Sequence, residues 1–193
     1  MSWPAPIVLS GPHARLEPLS IAHHDALCDA ARDGGLWKLW YTSVPSPERM
    51  AAEIERRLAL TTMCPFTVFD AAGRVAGMTT YMNTDAVNKR VEIGSTWTRA
   101  SAQRTALNTQ CKRLLLAHAF ESLECIAVEF RTHRLNTQSR RAIERLGAQL
   151  DGILRAHQRA GDGSLRDTAV YSITAAEWPA VRSHLDWQLA RPR

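Results

Sequence analysis

The sequence contains few cysteines, and they show no metal-binding or disulfide pattern. The four cysteines, Cys28, Cys64, Cys111 and Cys125, are scattered through 193 residues without C-x-x-C spacing. Two of them, Cys111 and Cys125, fall within apolar periodic segments, so we interpret the cysteines as buried, reduced thiols. No histidine forms a metal-like pair with a cysteine, and we therefore predict that the protein binds no metal.

Long hydrophobic runs are also missing. No apolar stretch approaches the roughly 20 residues that a membrane-spanning helix needs. The N-terminus has no basic segment followed by a long apolar one, which a secretion signal would show. We therefore expect a cytoplasmic protein with no membrane partner. The composition is 45% hydrophobic and 22% charged, and the length suits a single domain over residues 1–193.

The charge is positive, but it is not concentrated. The net charge is +5 and the isoelectric point is about 9.4, which fits a nucleic acid, an acidic protein or an anionic cofactor as partner. The arginines are dispersed, and no basic run is interleaved with aromatic residues. We therefore predict no nucleic-acid partner and keep a nucleic-acid-associated protein as a minor alternative.

Residues 91–121 read as a strand followed by a helix. Val91, Ile93 and Trp97 recur at period two, which favours a strand. From about Gln103 the pattern changes to the spacing of one helix face, with Lys112 and its neighbour Arg113 expected to point outward. The apolar residues of that face are Leu107, Cys111, Leu114, Leu115 and Ala119.

The rest of the chain reads as alternating strands and helices. Ser20 is expected to cap a helix, and the charged residues of the helix through Leu58 are expected to form a solvated face. Trp37, Trp40 and Tyr41 are interpreted as core packing, with a role at a binding cleft as the alternative. The predicted strands are Ile7 to Leu19, Pro65 to Asp70, Arg74 to Met82, Cys125 to Thr132, Gln149 to Gln158 and Asp167 to Ile173; helices are predicted over Ile21 to Arg32, from Ser46 or Pro47, from Asn136 to Gly147, and at the C-terminus.

The start of the helix after Trp97 is suited to an anion. The first turn of a helix leaves backbone N–H groups without partners and carries the positive end of the helix dipole. Residues 103–108 occupy that turn. Because the strand before this helix and the strand after it are joined by a helical crossover, they should run parallel, and ligands bind at the carboxyl ends of such strands.

This segment resembles the coenzyme A loop of the GNAT acetyltransferase superfamily. The family pattern is Gln or Arg, two residues, Gly, one residue, then Gly or Ala. Gln103 matches its first position, whereas Ala106 and Asn108 replace residues that are usually glycine. A second segment, Leu135 to Arg155 (LNTQSRRAIERLGAQLDGILR), resembles the segment that follows in the family. The closest similarity is to the ribosomal-protein N-terminal acetyltransferases.

The resemblance implies a fold and a set of cofactor contacts. The expected fold is a single α/β (α+β) GNAT-like domain. Its mixed, mostly antiparallel sheet has one parallel strand pair that splays at the cofactor site, with helices on both faces. Asn136 would contact the pantetheine arm of acetyl-CoA from one side. The implied contacts on the other side are the backbone of Ser95, Thr96, Trp97 and Thr98 for the arm, and Gln103, Arg104, Thr105, Ala106, Leu107, Asn108 and Thr109 for the pyrophosphate.

Acetyl transfer to an amine needs a base for the acceptor and a donor for the departing thiolate. Glu92 is the candidate base, because a glutamate is disfavoured in a strand and occupies the position where the ribosomal branch carries one. The alternative is an exposed or cross-strand-paired glutamate. Ser139 is the candidate thiolate donor, with helix capping as the alternative. Tyr81, His133 and Trp40 are candidates for lining the acceptor site.

These features predict an acetyl-CoA-dependent N-acetyltransferase that transfers an acetyl group directly in a ternary complex. The acceptor would be a primary amine, either a protein N-terminus or a small molecule. Because two glycine positions of the loop are altered, a coenzyme A-binding or sensing protein with little turnover is the second hypothesis. Apolar positions in the terminal helix and hairpin leave room for a homodimer.

Overall fold

A computed structural model describes residues 3–40, 44–160 and 162–191. Within these residues eight strands form one sheet in the order β1-β2-β3-β4-β5-β6-β8-β7. The strands are β1 (Leu9–Gly11), β2 (Ala14–Pro18), β3 (Cys64–Asp70), β4 (Val75–Asp85), β5 (Arg90–Thr98), β6 (Ala127–His133), β7 (Gln149–Arg159) and β8 (Leu165–Thr174). The helices are α1 (His24–Arg32), α2 (Met50–Ala59), α3 (Leu107–Ala117), α4 (Thr137–Glu144) and α5 (Trp178–Ala190), and a π-helical turn (His118–Ser122) extends α3.

The strands β5 and β6 form the parallel pair, and every other neighbouring pair is antiparallel. The two strands are paired only from Arg90 to Glu92 and from Ala127 to Glu129. Beyond that point β5 continues against β4, and β6 continues against β8. The predicted strand-helix-strand unit, the mostly antiparallel sheet and the splayed parallel pair are therefore confirmed.

Helices cover both faces of the sheet, as predicted. On one face α3 and α5 pack against a core that includes Val91, Ile93, Val128 and Phe130. On the other face α1 and α2 pack against a second core that includes Met78 and Trp97 among its largest members. The sheet thus separates two apolar layers, and residues of β5 contribute to both.

A β-bulge at Ser95 explains how β5 serves both layers. Gly94 pairs with Thr80 and Trp97 pairs with Met78, so β5 holds one more residue than β4 between these pairs. Ser95 has φ 47°, in the left-handed region. Side chains beyond the bulge change sides, so the expectation that Trp97 shares a face with Val91 and Ile93 is wrong. The expectation that Thr96 shares a face with Glu92 is wrong for the same reason.

Two predicted boundaries also differ from the structure. The single strand expected from Ile7 to Leu19 is a hairpin of β1 and β2, because the chain turns at Pro12 and His13. The helix expected from about Gln103 begins at Leu107 instead. Arg104 has φ 61°, which a right-handed helix excludes.

Two basic residues expected at the surface are buried. Arg57 is 2% exposed and Lys112 is 6% exposed, so the interpretation of a fully solvated charged face on α2 and of an outward Lys112 on α3 is wrong. Arg57 is buried together with hydrogen-bonding partners, among which Glu53 Oε1 lies 2.7 Å from its Nε. Burial of these cations requires such partners, which a linear sequence does not show.

The aromatic segment after α1 is only partly in the core. Trp37 is half-buried against the α1 and α2 layer, whereas Trp40 is 67% exposed. Core packing was therefore the wrong interpretation for Trp40. Tyr41 lies outside the described residues. Elsewhere the predicted cap is confirmed, since Ser20 Oγ accepts a hydrogen bond of 3.2 Å from the Ala22 amide.

The cysteines and the helices agree with a globular interior. All four cysteines are buried and carry free thiols. Among the described helices, none combines the length and the apolar composition needed to cross a bilayer.

Candidate active site

The candidate site lies where β5 and β6 separate. Glu92 and Glu129 form the last pair of the parallel ladder, and beyond them the facing edges of the two strands have no partner strand in the described residues. An unpaired strand edge presents backbone N–H and C=O groups. The gap opens at the carboxyl ends of the parallel strands, where α/β sheets bind ligands.

The N-terminus of α3 follows directly after the end of β5 and offers free amides. The Leu107 amide donates to Thr105 Oγ1 at 3.2 Å. The amides of Asn108 and Thr109 meet no acceptor among the described residues, as expected in the first turn of a helix. Arg104 and Thr105 are exposed, so the loop is open to solvent on its outer side. These donors fit a diphosphate.

The two positions where glycine is usual impose no backbone strain. Ala106 has φ −68° and ψ −15°, which any residue adopts, and Asn108 lies within α3. The left-handed conformation of this loop falls on Arg104 instead. The departures from the family pattern therefore leave the path of the backbone intact.

Gln103 connects this loop to β5. Its side-chain Nε2 donates to the Thr98 carbonyl oxygen at 3.0 Å, so the predicted first position of the loop also closes the end of the strand. The four predicted residues of β5 differ in exposure: Trp97 is buried in the α1 and α2 layer, Thr96 is exposed, and Ser95 and Thr98 are half-buried.

Glu92 lies at the base of the gap and is 6% exposed. Its Oε2 accepts a hydrogen bond of 2.8 Å from Asn83 Nδ2 and lies 3.6 Å from Arg131 Nε. A Cβ atom at Gly94 would be 2.9 Å from Glu92 Oε1 and 2.7 Å from Met82 Sδ, so the space around the carboxyl depends on that glycine. The expectation of a buried and positioned carboxylate agrees with this placement.

The surroundings of Glu92 favour its neutral form. Burial has the largest effect and raises the pKa of Glu92 above its ordinary value. The hydrogen bond from Asn83 and the charges of Arg131 and Arg166 lower that pKa, and the negative charge of Glu129 raises it. A carboxyl group with a raised pKa can accept a proton more effectively near neutral pH.

His133 and Trp40 lie together on the acceptor side. Their rings make an edge-to-face contact with centroids 5.4 Å apart, although Trp40 precedes α2 and His133 ends β6. His133 Nδ1 accepts a hydrogen bond of 3.0 Å from the Leu135 amide. Burial, followed by the charge of Arg166, lowers the pKa of His133, which favours the neutral imidazole.

Tyr81 is separated from these two residues. It is 0% exposed in the core on the α3 side, and its hydroxyl donates to the Leu115 carbonyl oxygen at 2.6 Å. The expectation that Tyr81 lines the acceptor site is therefore not met by its side chain. Its aromatic ring and its buried hydroxyl are both satisfied by packing against α3.

Asn136 and Ser139 begin α4 beyond the end of β6. Asn136 Oδ1 accepts a hydrogen bond of 3.0 Å from the Ser139 amide, so Asn136 is the N-cap of the helix. The structure thus gives Asn136 a capping role, and it leaves the Ser139 hydroxyl half-buried at the same helix end.

Two buried cations near β5 escaped the sequence interpretation. Arg57 Nη1 donates to Thr80 Oγ1 at 2.8 Å and to the Ser95 carbonyl oxygen at 3.3 Å, so it supports the bulge from the α2 side. Lys112 lies against β5 from the α3 side. A signal for Lys112 was present, because it stands three and four residues before the buried Leu115 and Leu116.

Comparison with known proteins agrees with this arrangement. The family model described as Acetyltransferase (GNAT) domain matches residues 13–149, well over half of the chain. YdaF of Bacillus subtilis (strain 168), which is described provisionally as a ribosomal N-acetyltransferase, is 32% identical over 106 residues. That match covers 55% of this chain and 57% of YdaF, so it spans little more than half of either protein.

Two solved structures match over nearly the whole chain. A GCN5-related N-acetyltransferase from Brucella melitensis has a TM-score of 0.88 at 30% identity and covers 97% of this chain and 87% of its own. An acetyltransferase from T. thermophilus, named provisionally as such, has a TM-score of 0.86 at 33% identity and covers 97% of this chain and 99% of its own. From the matched domain, the splayed sheet and these relatives, the chain belongs to the GNAT family and is an N-acetyltransferase.

Proposed function

We propose that this chain transfers the acetyl group of acetyl-CoA directly to a primary amine, with a protein N-terminus as the first acceptor class to test. The observation that carries the proposal is the common location of two features. The free amides at the start of α3 and the buried carboxyl of Glu92 flank the same gap between β5 and β6.

The residues that would hold acetyl-CoA are those with unused polar groups around the gap. The open edge of β5 over Ser95–Thr98 suits the amides of the pantetheine arm, and the amides of 104–109 suit the pyrophosphate. Asn136 lies at the start of α4, beyond the end of β6. When bound, acetyl-CoA supplies the activated acetyl group.

Glu92 is assigned to the acceptor amine. An ammonium group must lose a proton before it can attack, and Glu92 in its ionised form can take that proton directly or through water. Arg131 and Asn83 hold the carboxylate in one position, while burial keeps its proton affinity high. Ser139 is assigned to the departing thiolate as a hydrogen-bond donor.

Direct transfer is supported by the state of the cysteines. Burial raises the pKa of Cys64 and Cys125 to about 11 and that of Cys111 to about 12. Burial also raises the pKa of Cys28. Thiols that stay protonated at neutral pH are poor nucleophiles, which argues against an acyl-cysteine intermediate.

A protein N-terminus as acceptor is supported by the similarity to YdaF and by the exposed Trp40 beside His133, which offers contact area for a peptide. The deciding experiment measures thiol release from acetyl-CoA with a panel of acceptors. The panel contains peptides with different first residues, the same peptides with a blocked N-terminus, a polyamine and free amino acids. Release with unblocked peptides only is the expected result.

The same panel separates the second hypothesis. A coenzyme A-binding protein with little turnover would be stabilised by coenzyme A and release no thiol with any amine. Transfer to the polyamine or to amino acids, with none to peptides, would replace the protein N-terminus with a small-molecule acceptor.

A further inference from the structure

Lys112 is a buried cation that the proposed chemistry leaves without a role. Its Nζ donates to Thr96 Oγ1 at 2.9 Å and to Thr79 Oγ1 at 3.3 Å. Within the described residues it forms no ion pair with a carboxylate. Burial lowers the pKa of Lys112 to about 8, so most of the side chain is still protonated at neutral pH. A buried ammonium held only by hydroxyl groups is costly, which calls for an explanation.

The two hydroxyl groups are also bonded to each other. Thr79 Oγ1 and Thr96 Oγ1 lie 2.8 Å apart. Thr79 is fully buried and has no other hydrogen-bond acceptor in the described chain, so its proton goes to Thr96. Thr96 then accepts from both Lys112 and Thr79.

The hydroxyl proton of Thr96 is therefore left to point elsewhere. Its nearest acceptor is the Gly94 carbonyl oxygen at 3.4 Å, which is a weak contact. Thr96 is exposed, and it belongs to the part of β5 that has separated from β6. A hydroxyl that accepts two hydrogen bonds, one from a cation, is a strengthened donor.

We propose that Lys112 is a positioning residue of the acetyl-transfer site: through Thr79 and Thr96 it fixes the Thr96 hydroxyl as a donor to a carbonyl oxygen of the acyl-thioester arm of acetyl-CoA. This inference rests on the proposed function, because acetyl-CoA is its ligand. The buried charge lies behind the hydroxyl, so it strengthens the hydrogen bond without contacting the ligand itself.

The test measures the Kd of acetyl-CoA by calorimetry for wild type, Thr96→Val, Thr96→Ser, Lys112→Met and the Thr96→Val/Lys112→Met double variant. Loss of the Thr96 donor is expected to weaken binding about tenfold, equivalent to one hydrogen bond to a polar ligand. Thr96→Ser keeps the hydroxyl and is expected to bind like wild type. Lys112→Met is expected to weaken binding when Thr96 is present and to add little to Thr96→Val.

A pH series adds a readout that a purely structural lysine would not change. From about pH 7 to about pH 9.5, binding by wild type is expected to weaken as Lys112 loses its proton, and Lys112→Met is expected to abolish that dependence. The other titratable group against Lys112 is the Cys111 thiol, whose pKa of about 12 lies outside this range. Acetyl-CoA, which has no free thiol, is the probe.

Unchanged affinity in Thr96→Val, or a Lys112→Met effect that is the same with and without the Thr96 hydroxyl, would overturn the inference. If Lys112→Met does not fold, as judged by its thermal transition, the Thr96→Val and Thr96→Ser pair decides alone. Failure of wild type to bind acetyl-CoA at all would instead overturn the proposed function.

Discussion

Glu92 and Glu129 lie opposite each other as the last pair of the parallel ladder, and both contact Arg131. Arg131 Nη2 is 2.9 Å from Glu129 Oε2, and Arg131 Nε is 3.6 Å from Glu92 Oε2. Arg90 also pairs with Glu129. Glu129 is therefore the better neutralised carboxylate, and Glu92 is the one that is buried and only partly compensated. The pairing leaves one of two adjacent acids suited to proton transfer.

Replacing Glu92 with Gln is expected to lower kcat by about a hundredfold or more, because the amide cannot accept the proton of the amine. The Kd of acetyl-CoA should stay within about twofold, since the base contributes to the acceptor step. Thiol-release kinetics and calorimetry measure the two quantities. Turnover at the wild-type rate would remove Glu92 from the mechanism.

Replacing Arg131 with Met is expected to move the acidic limb of the kcat/KM profile to higher pH. The guanidinium lowers the pKa of Glu92, so its removal raises that pKa further, and the base then ionises only in more alkaline solution. Arg134→Met is the matched control, because Arg134 pairs with Asp167 rather than with Glu92. An acidic limb at the same pH in both variants would contradict the assignment.

Glu92→Gln is also expected to stabilise the protein, increasingly so as the pH rises. A carboxyl whose pKa is higher in the folded than in the unfolded state loses stability as the pH rises from its unfolded pKa through its folded pKa. Glutamine does not ionise and keeps an acceptor for Asn83. The difference in thermal midpoint between variant and wild type should be small near pH 4 and largest above the folded pKa. A constant difference would show that burial does not shift the Glu92 equilibrium.

Arg57→Met is expected to lower the free energy of unfolding by about 3 kcal/mol, because it removes the buried partner of Glu53, Thr80 and the Ser95 carbonyl. Arg56→Met is the matched control. Arg56 bonds the same Glu53 but is half-exposed, so its loss should cost about 0.5 kcal/mol or less. Urea unfolding measures both, and equal losses would argue against a special role for Arg57.

Ser139→Ala is expected to lower kcat about tenfold if the hydroxyl assists the departing thiolate. Thr137→Ala is the matched control, because Thr137 is an exposed residue in the same first turn of α4. Full activity in Ser139→Ala would leave Ser139 with a structural role at the helix N-terminus.

The sequence predicted the parts of the site that depend on local pattern. Apolar periodicity located β5, α3 and β6, and the crossover length predicted their parallel pairing. The change of side at Ser95 could not be predicted, because a bulge is defined by the partner strand. The burial of Arg57 and the exposure of Trp40 likewise depend on which segments pack together, and the core placement of Tyr81 follows from α3 reaching its hydroxyl.

The bulge at Ser95 gives the length of β5 an importance separate from the identity of its residues. Deleting one residue at this point would restore a regular pleat, so that the Trp97 indole would face α3 and the Thr96 methyl and hydroxyl would face α2. Lys112 would then lose the oxygen that holds its charge, and a large ring would enter a layer with no space for it. Insertions and deletions in this short span should therefore be far less tolerated than substitutions.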